Sequence, residues 1–231
     1  MKQIPNIITC LNLLAGCMAC VLILRFNNST GAFIFIVLAG IFDFLDGMAA
    51  RALKAYSNIG AELDSLADVV SFGLAPGCIV YSYLSTYDSG MSWPLIAFLL
   101  PVFSALRLAK FNVDTRQSTS FLGLPVPASG LFWTSLIPSI HLFFSSFSLI
   151  VPVGIVILLF VFCLLMISEI PMFSLKFKNL QWKGNEWPFS LIGISIIVIF
   201  LCVFNSMPLV SLSIIILIYI LLSLVKVIFG K

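Results

Sequence analysis

The chain has 231 residues, of which 61% are hydrophobic and only 9% are charged. A water-soluble domain usually carries about 25% charged residues, so this chain has too few charges to cover a soluble surface. The composition therefore excludes a soluble enzyme, a disordered chain and a nucleic-acid-binding module. It predicts an all-α protein built from membrane-spanning helices.

Eight stretches are long and apolar enough to cross a bilayer, since a spanning helix needs about 20 such residues. In chain order they cover about 5–24, 31–50, 60–84, 93–112, 128–147, 149–168, 188–204 and 207–228. Turn-forming residues separate them, including the runs at 27–30, 88–90 and 184–185. We expect one integral membrane domain over 1–231.

Basic residues are distributed unevenly between the two sides of this predicted bundle. With the N-terminus in the cytoplasm, eleven of the twelve Lys and Arg fall on the cytoplasmic side, and only Arg25 falls on the other. Because cytoplasmic loops carry the excess of positive charge, this bias predicts that both termini are cytoplasmic. It also agrees with an even number of spans. The short connections near 148 and 205 leave open that two of the spans form a re-entrant pair.

Acidic residues are concentrated at the inner ends of the second and third spans. Five of the nine in the chain lie between positions 43 and 68, namely Asp43, Asp46, Glu62, Asp64 and Asp68. Asp43 and Asp46 are three residues apart, and Asp64 and Asp68 are four apart. Each pair therefore shares one face of a helix. A carboxylate inside a span is costly to insert into a membrane, so such a cluster indicates a functional site.

Four carboxylates at one depth repel one another unless protons or cations neutralise them. Oxygen ligands of this kind suit Mg²⁺, Mn²⁺ or Ca²⁺, and two such ions about 4 Å apart commonly promote displacement at phosphorus. Gly47, Ala50 and Gly60 leave space beside the acids. Arg51 lies where its guanidinium can bind a phosphate through two hydrogen bonds. The pattern predicts a site for a pyrophosphate and divalent ions.

Two other interpretations of the acids remain open. In the first, they pair with Arg51, Lys54 and Arg107 as contacts between helices, although the acids outnumber these cations locally. In the second, they form the transport site of a divalent-cation transporter. Transporters often bind their ion near the bilayer midplane between two similar halves. Here the acids lie at one end of the spans, and residues 130–231 contain no counterpart.

Eight positions in this region resemble the signature of the CDP-alcohol phosphotransferases. The match runs Asp43-x-x-Asp46-Gly47-x-x-Ala50-Arg51, then eight residues, then Gly60-x-x-x-Asp64-x-x-x-Asp68, without a gap or a substitution. The segment at 5–9 is similar to the opening segment of that family, and the segments at 62–76, 107–112 and 121–128 are similar to its serine-using branch. The resemblance covers about 5–130, where we expect the catalytic helices. Additional spans follow over 128–231, and the last two of them contribute little to the resemblance.

The resemblance implies a membrane enzyme that passes the phosphatidyl group of CDP-diacylglycerol to L-serine and releases CMP. It implies that two divalent ions, Mg²⁺ or Mn²⁺, are held by Asp43, Asp46, Asp64 and Asp68. Asp68 would also act as the general base. Contacts to the CDP group are implied for six residues: Gly47, Arg51, Ser57, Gly60, Asn6 and Thr9. The resemblance further suggests a homodimer. The position of the acids at the inner ends of the spans predicts an active site at the cytoplasmic face, and we expect membrane lipid chains to enter between the helices.

Arg107 and Lys110 end the fourth span three residues apart. We expect them to bind the carboxylate of serine or the lipid-linked phosphate, while simple anchoring at the membrane interface is the alternative. Glu62 and Asp114 are candidates for binding the ammonium group. Glycerol 3-phosphate or an inositol phosphate is the alternative acceptor. Each carries its own phosphate, which would require more basic residues than Arg107, Lys110 and Arg116 provide.

Overall fold

The structure, a computed structural model, describes residues 3–87, 92–114, 121–143, 150–173, 182 and 185–229, with side chains described at all of these except 121 and 141–143. Within these ranges it contains nine α-helices: α1 Ile4–Phe26, α2 Ser29–Ala52, α3 Asn58–Asp68, α4 Ala75–Ser85, α5 Leu99–Val113, α6 Val126–Phe143, α7 Ile150–Ile167, α8 Glu186–Phe204 and α9 Pro208–Phe229. The predicted all-α class is confirmed.

Seven helical stretches in the described part of the chain are long and apolar enough to cross a membrane. They correspond to seven of the eight predicted spans, so the chain is an integral membrane protein. The remaining predicted span, 128–147, forms the helix α6. This helix buries Ser129, Thr134, Ser135 and Ser139. Since α2, α4 and α9 pack around α6, it does not need a uniformly apolar surface.

Some of the sequence predictions lie outside the described residues. The predicted junction between the fifth and sixth spans, at 144–149, is not among the described residues. The same holds for six of the twelve basic residues on which the predicted orientation depends: Lys2, Arg116, Lys176, Lys178, Lys183 and Lys231. The orientation of the bundle in the membrane therefore stays a prediction.

Two connections between helices are tied together at one end of the bundle. The strand β1, Phe121–Leu122, follows α5 and pairs antiparallel with β2, Pro171–Met172, which follows α7. Beside them, Lys110 Nζ lies 3.4 Å from Glu169 Oε1. These contacts place both connections on the same side of the bundle.

The first two helices form a tight antiparallel pair. α1 ends because Asn27 adopts a left-handed conformation with a φ of 47°. The side chain of Asn28 then accepts a hydrogen bond of 2.8 Å from the Gly31 N–H and caps α2. Ala19 and Ala39 are fully buried, and such small side chains let neighbouring membrane helices approach closely. This pairing brings the start of α1 next to the acidic end of α2.

The third predicted span is continuous but not regular. α3 leads directly into a π-helical segment, Val69–Leu74, which leads into α4. The Ala75 N–H bonds to the carbonyl of Val70, five residues earlier. Pro76 follows, and in a regular α-helix its ring would clash with the carbonyl four residues before it. The wider turn accommodates this proline, and such segments are frequent at functional sites.

Glycines allow two neighbouring helices to contact the π-helical segment directly. A Cβ at Gly16 of α1 would lie 2.5 Å from Ser71 Oγ, and a Cβ at Gly130 of α6 would lie 2.8 Å from the Phe72 Cα. Ser71 Oγ also donates a hydrogen bond of 3.0 Å to the carbonyl of Asn12. The segment that follows α3 is therefore held from two sides.

Candidate active site

The four aspartates predicted to bind metal converge between α2 and α3. Asp43 and Asp46 lie in α2, and Asp64 and Asp68 lie in α3. One carboxylate oxygen from each of Asp43, Asp64 and Asp68 lies within 4.8 Å of the others. Asp46 lines the same cavity as these three. The structure therefore brings together the side chains that the sequence pattern indicated.

The carboxylate cluster has the chemistry of a divalent-cation site. All its ligand atoms are oxygens, which Mg²⁺ and Mn²⁺ prefer. Asp64 Oδ1 is buried and has no hydrogen-bond partner in the structure. Among the described residues, no Lys or Arg forms an ion pair with any of the four aspartates, so the interpretation as helix-to-helix ion pairs is not supported there. Buried charge without compensation is unfavourable, and a bound cation would supply that compensation.

Two of the four carboxylates accept hydrogen bonds from α1. Thr9 Oγ1 lies 2.6 Å from Asp46 Oδ2, and Asn12 Nδ2 lies 3.3 Å from Asp68 Oδ1. The side chains of Thr9, Asn12, Asp46 and Asp68 are all buried. Asn12 was not among the predicted site residues. The available signal was an amide inside an apolar span, three residues after Thr9 and on the same helix face.

A cavity of about 200 Å³ lies on one side of the carboxylates. All six residues implied to contact the CDP group line it: Asn6, Thr9, Gly47, Arg51, Ser57 and Gly60. The structure thus gathers side chains from α1, α2 and the start of α3 around one space. Asp46 and Asp64 also line this cavity, so a ligand in it lies against the acids.

Gly60 leaves one part of the wall of this cavity, at the start of α3, without a side chain. Ser57 Oγ accepts a hydrogen bond of 3.0 Å from the Gly60 N–H and caps the helix. A Cβ at Gly60 would lie 3.0 Å from Ser57 Oγ and 3.1 Å from Asn6 Oδ1. Any side chain at position 60 would therefore crowd this wall. The N–H groups at a helix start favour bound phosphate.

A larger cavity of about 750 Å³ lies on the other side of the carboxylates. It shares Asp46, Gly47, Arg51, Ala61 and Asp64 with the smaller cavity, so the two spaces meet at the acids. Its remaining lining residues are Asp43, Phe44, Ser65, Asp68, Arg107, Leu108, Phe111, Asn112, Pro125 and Pro127.

Polar side chains from α3 and α5 face this larger cavity. Arg107 is only 6% exposed, and its guanidinium carbon lies 5.0 Å from the centre of the Phe111 ring. Asn112 Nδ2 donates a hydrogen bond of 3.0 Å to Ser65 Oγ. The cavity therefore offers a cation and a pair of neutral polar groups close to the carboxylates.

Arg107 lines the larger cavity but Lys110 does not, although the sequence predicted that both bind the same ligand. The Lys110 Nζ donates to Glu169 Oε1 and to the carbonyl of Ile167, each at 3.4 Å. Positions three apart in a helix differ by about 60° around its axis, which is enough to direct these side chains to different neighbours. The structure therefore brings Arg107 to the carboxylates but not Lys110. Glu62 is exposed and also does not line either cavity.

The sequence profile of the CDP-alcohol phosphatidyltransferase family matches residues 2–168 of the chain. The protein belongs to this family and is an enzyme of the phosphatidyltransferase class. The matched region contains all four aspartates and both cavities. This membership also decides against the transporter interpretation of the acids.

Similar curated proteins share one name, CDP-diacylglycerol–serine O-phosphatidyltransferase. The protein of that name from Helicobacter pylori strain J99 is 32% identical over 233 residues, which cover 97% of this chain and 91% of the relative. The one from Bacillus subtilis strain 168 is 40% identical over 131 residues, 57% of this chain and 73% of the relative. The one from Methanocaldococcus jannaschii is 35% identical over 167 residues, 72% of each chain.

Proposed function

We propose that the protein transfers the phosphatidyl group of CDP-diacylglycerol to the hydroxyl of L-serine and produces phosphatidylserine and CMP. The observation that carries this proposal is the cluster of Asp43, Asp64 and Asp68, whose oxygens lie within 4.8 Å of one another where two cavities meet. One cavity suits the nucleotide of the donor, and the other suits the acceptor. The shared name of three relatives supports serine as the acceptor.

The smaller cavity binds the CDP group in this proposal. Arg51 forms charge-assisted hydrogen bonds with a phosphate and continues to bind it as CMP leaves. The start of α3, which is the positive end of its helix dipole, lines the same cavity, and Gly47 and Gly60 let the ligand approach the helix backbone. Asn6 and Ser57 supply neutral polar contacts at the rim.

The aspartates have two roles in the reaction. Asp43, Asp46, Asp64 and Asp68 would hold two divalent ions, Mg²⁺ or Mn²⁺, which when bound neutralise the pyrophosphate and stabilise charge that develops at phosphorus. Asp68 also acts as the general base. One of its oxygens accepts the hydrogen bond from Asn12, which leaves the other available for a proton.

The transfer is a displacement at the phosphorus that bears diacylglycerol. The serine hydroxyl oxygen forms a bond to this phosphorus while the serine proton passes to Asp68. The bond from the same phosphorus to the bridging oxygen of CMP breaks, and CMP leaves with that oxygen. Arg51 stabilises the negative charge on the leaving group.

The acceptor lies in the larger cavity, where Arg107 binds the carboxylate of serine. Because Arg107 is almost fully enclosed, an opposite charge beside it interacts more strongly than in water. Ser65 and Asn112 provide polar contacts in the same lining, and Lys110, paired with Glu169, is the weaker candidate. Arg51 and Arg107 are the basic residues in the described lining. Glycerol 3-phosphate or an inositol phosphate would place a further phosphate there, so this lining favours serine.

We also infer that the active site faces the cytoplasm, that both termini lie there and that the chain forms one domain and acts as a homodimer. The sequence places eleven of twelve basic residues on that side. The pairing of β1 with β2 and the contact of Lys110 with Glu169 lie at the end of the bundle near Arg107. The dimer rests on the family resemblance.

The proposal is tested with purified protein in lipid nanodiscs, supplied with CDP-diacylglycerol, Mn²⁺ and labelled serine. We expect phosphatidylserine and CMP to form in equal amounts. Parallel reactions replace serine with glycerol 3-phosphate or with an inositol phosphate, and the Asp46→Asn variant serves as the inactive control. Product formed only with one of these other acceptors would overturn the assignment of serine, and CMP release without any lipid product would overturn the transfer reaction.

A further inference from the structure

We propose that Thr9 and Asn12 of α1 are positioning residues for this site, in which Thr9 orients the carboxylate of Asp46 and Asn12 orients that of Asp68. The inference rests on the proposed function and deepens it. It also gives Thr9 a role different from the contact to CDP that the family resemblance implies.

The contact of Thr9 with Asp46 has the geometry of a charge-assisted hydrogen bond. Thr9 Oγ1 lies 2.6 Å from Asp46 Oδ2 and 3.0 Å from the carbonyl of Pro5. A hydroxyl has one proton, and the shorter contact to a carboxylate is the stronger of the two. The bond fixes one oxygen of Asp46 toward α1. Asp46 lines the same cavity as the other three acids, so this bond fixes one carboxylate of that cavity.

Asn12 holds Asp68 in the same way but is more deeply enclosed. Its side chain is completely buried, its Nδ2 donates to Asp68 Oδ1 at 3.3 Å, and its Oδ1 has no hydrogen-bond partner in the structure. A reversed amide would place two oxygens against each other, so the donor faces Asp68. A buried amide with an unsatisfied oxygen is unfavourable for folding alone. Its contact with the proposed base supplies the reason for its presence.

The two contacts come from the same helix face, because Thr9 and Asn12 lie three residues apart in α1. Thr9 reaches α2, and Asn12 reaches α3, so a single helix orients one carboxylate on each of the two helices that bear the acids. α1 is itself fixed by its close contact at Gly16 with Ser71. Groups that orient metal ligands in this way usually affect metal affinity and rate when they are removed.

The test of Thr9 measures Mn²⁺ binding to the purified full-length protein by the loss of the electron paramagnetic resonance signal of free Mn²⁺. Thr9→Val keeps the shape of the side chain and removes the hydroxyl, and we expect Mn²⁺ affinity to fall about 10- to 100-fold. Thr9→Ser restores the hydroxyl, and its affinity should return to within about threefold of wild type.

Thr134→Val is the matched control. Thr134 is also completely buried, but its hydroxyl bonds to the carbonyl of Leu131 within α6. We expect wild-type Mn²⁺ affinity in this variant. Equal affinities in Thr9→Val and Thr134→Val, or an equal loss in Thr9→Ser and Thr9→Val, would overturn the role of Thr9. A wild-type protein that fails to bind Mn²⁺ would instead contradict the proposed metal site itself.

The test of Asn12 measures kcat and the KM for serine separately. In Asn12→Leu, which is similar in size, we expect kcat for phosphatidylserine formation to fall at least about tenfold while the KM for serine changes less than about twofold. A merely structural role would lower the amount of folded protein and leave kcat per folded molecule unchanged. That result, measured with size-exclusion chromatography as the folding control, would overturn the role of Asn12.

Discussion

The helices α1 to α5 and the helices α8 and α9 are both suited to a membrane, but they bury different polar groups. In α1 to α5 the buried side chains include Thr9, Asn12, Asp46, Asp68 and Arg107, which come from four helices and either line the two cavities or, like Asn12, bond to a residue that does. In α9 the buried polar side chains are serines, and α8 has little buried surface of any kind.

The buried serines of α9 form their hydrogen bonds within α9 itself or with a serine of α6. Ser211 and Ser223 donate to carbonyls three and four residues earlier in the helix. Ser213 lies 2.6 Å from Ser135 of α6. A hydroxyl can always complete such a bond within its own or a neighbouring helix, whereas a carboxylate needs a donor or a cation from elsewhere. The comparison teaches that the reactive site lies where buried carboxylates receive only part of their hydrogen bonds from neighbouring helices, as Asp64 Oδ1 shows.

We expect the largest loss of turnover when an acid of the site is substituted, and no loss when a buried serine of α9 is substituted. Asp68→Asn should lower turnover about 10²- to 10⁴-fold, because it removes the proton acceptor, while CDP binding is largely retained. Asp46→Asn should damage both turnover and CDP binding, since Asp46 lines both cavities. The measurements are initial rates of labelled serine incorporation and equilibrium binding of CDP. Ser213→Ala is the control and should retain turnover. Near-normal turnover in Asp68→Asn would show that another group takes the proton.

A smaller effect distinguishes two cations of α5. Arg107→Ala should raise the KM for serine about tenfold or more, because an enclosed charge-assisted contact is lost. Lys110→Ala should change this KM by less than about threefold, since surface ion pairs contribute little. Lys110 and Glu169 are 41% and 62% exposed, respectively. Steady-state kinetics at saturating CDP-diacylglycerol provide the measurement. Equal changes in the two variants would contradict the separation of Arg107 from Lys110.

We expect the smallest effect for thermal stability, which we compare between one glycine of α1 and one glycine of α8. Gly16→Ala introduces a Cβ 2.8 Å from the Ser71 Cα, and overpacking of this kind costs about 1–3 kcal/mol. A Cβ at Gly193 of α8 meets no atom within 4 Å. We expect a lower Tm in detergent for Gly16→Ala and an unchanged or slightly higher Tm for Gly193→Ala. Equal Tm values for the two variants would contradict the close contact between α1 and the π-helical segment.

The central part of the site could be predicted because local geometry determines it. Residues three or four apart share a helix face, and the short connection at 53–57 keeps the end of α2 close to the start of α3. This proximity predicted that Asp43, Asp46, Asp64 and Asp68 converge, and the structure adds that α1 packs against both helices. The apolar runs likewise predicted the helices themselves, including α6, whose burial among other helices permits more polar residues.

Other features depend on packing that sequence spacing does not contain. Whether Lys110 meets Glu169 or the larger cavity is decided by how α5 is rotated against α7. The π-helical segment after Asp68 lies just before Pro76 and in close contact with α1 and α6, and residue spacing does not indicate it. The bond of Thr9 to Asp46 joins residues 37 positions apart, and neither residue alone indicates the other.

The most direct test of the account is the position of Mn²⁺ in an experimental structure of the protein with Mn²⁺ and CDP, identified by anomalous scattering. We predict Mn²⁺ bound to oxygens of Asp43, Asp64 and Asp68, with CDP in the smaller cavity beside Arg51. Mn²⁺ bound elsewhere, with the three carboxylates in contact only with protein groups, would contradict the account.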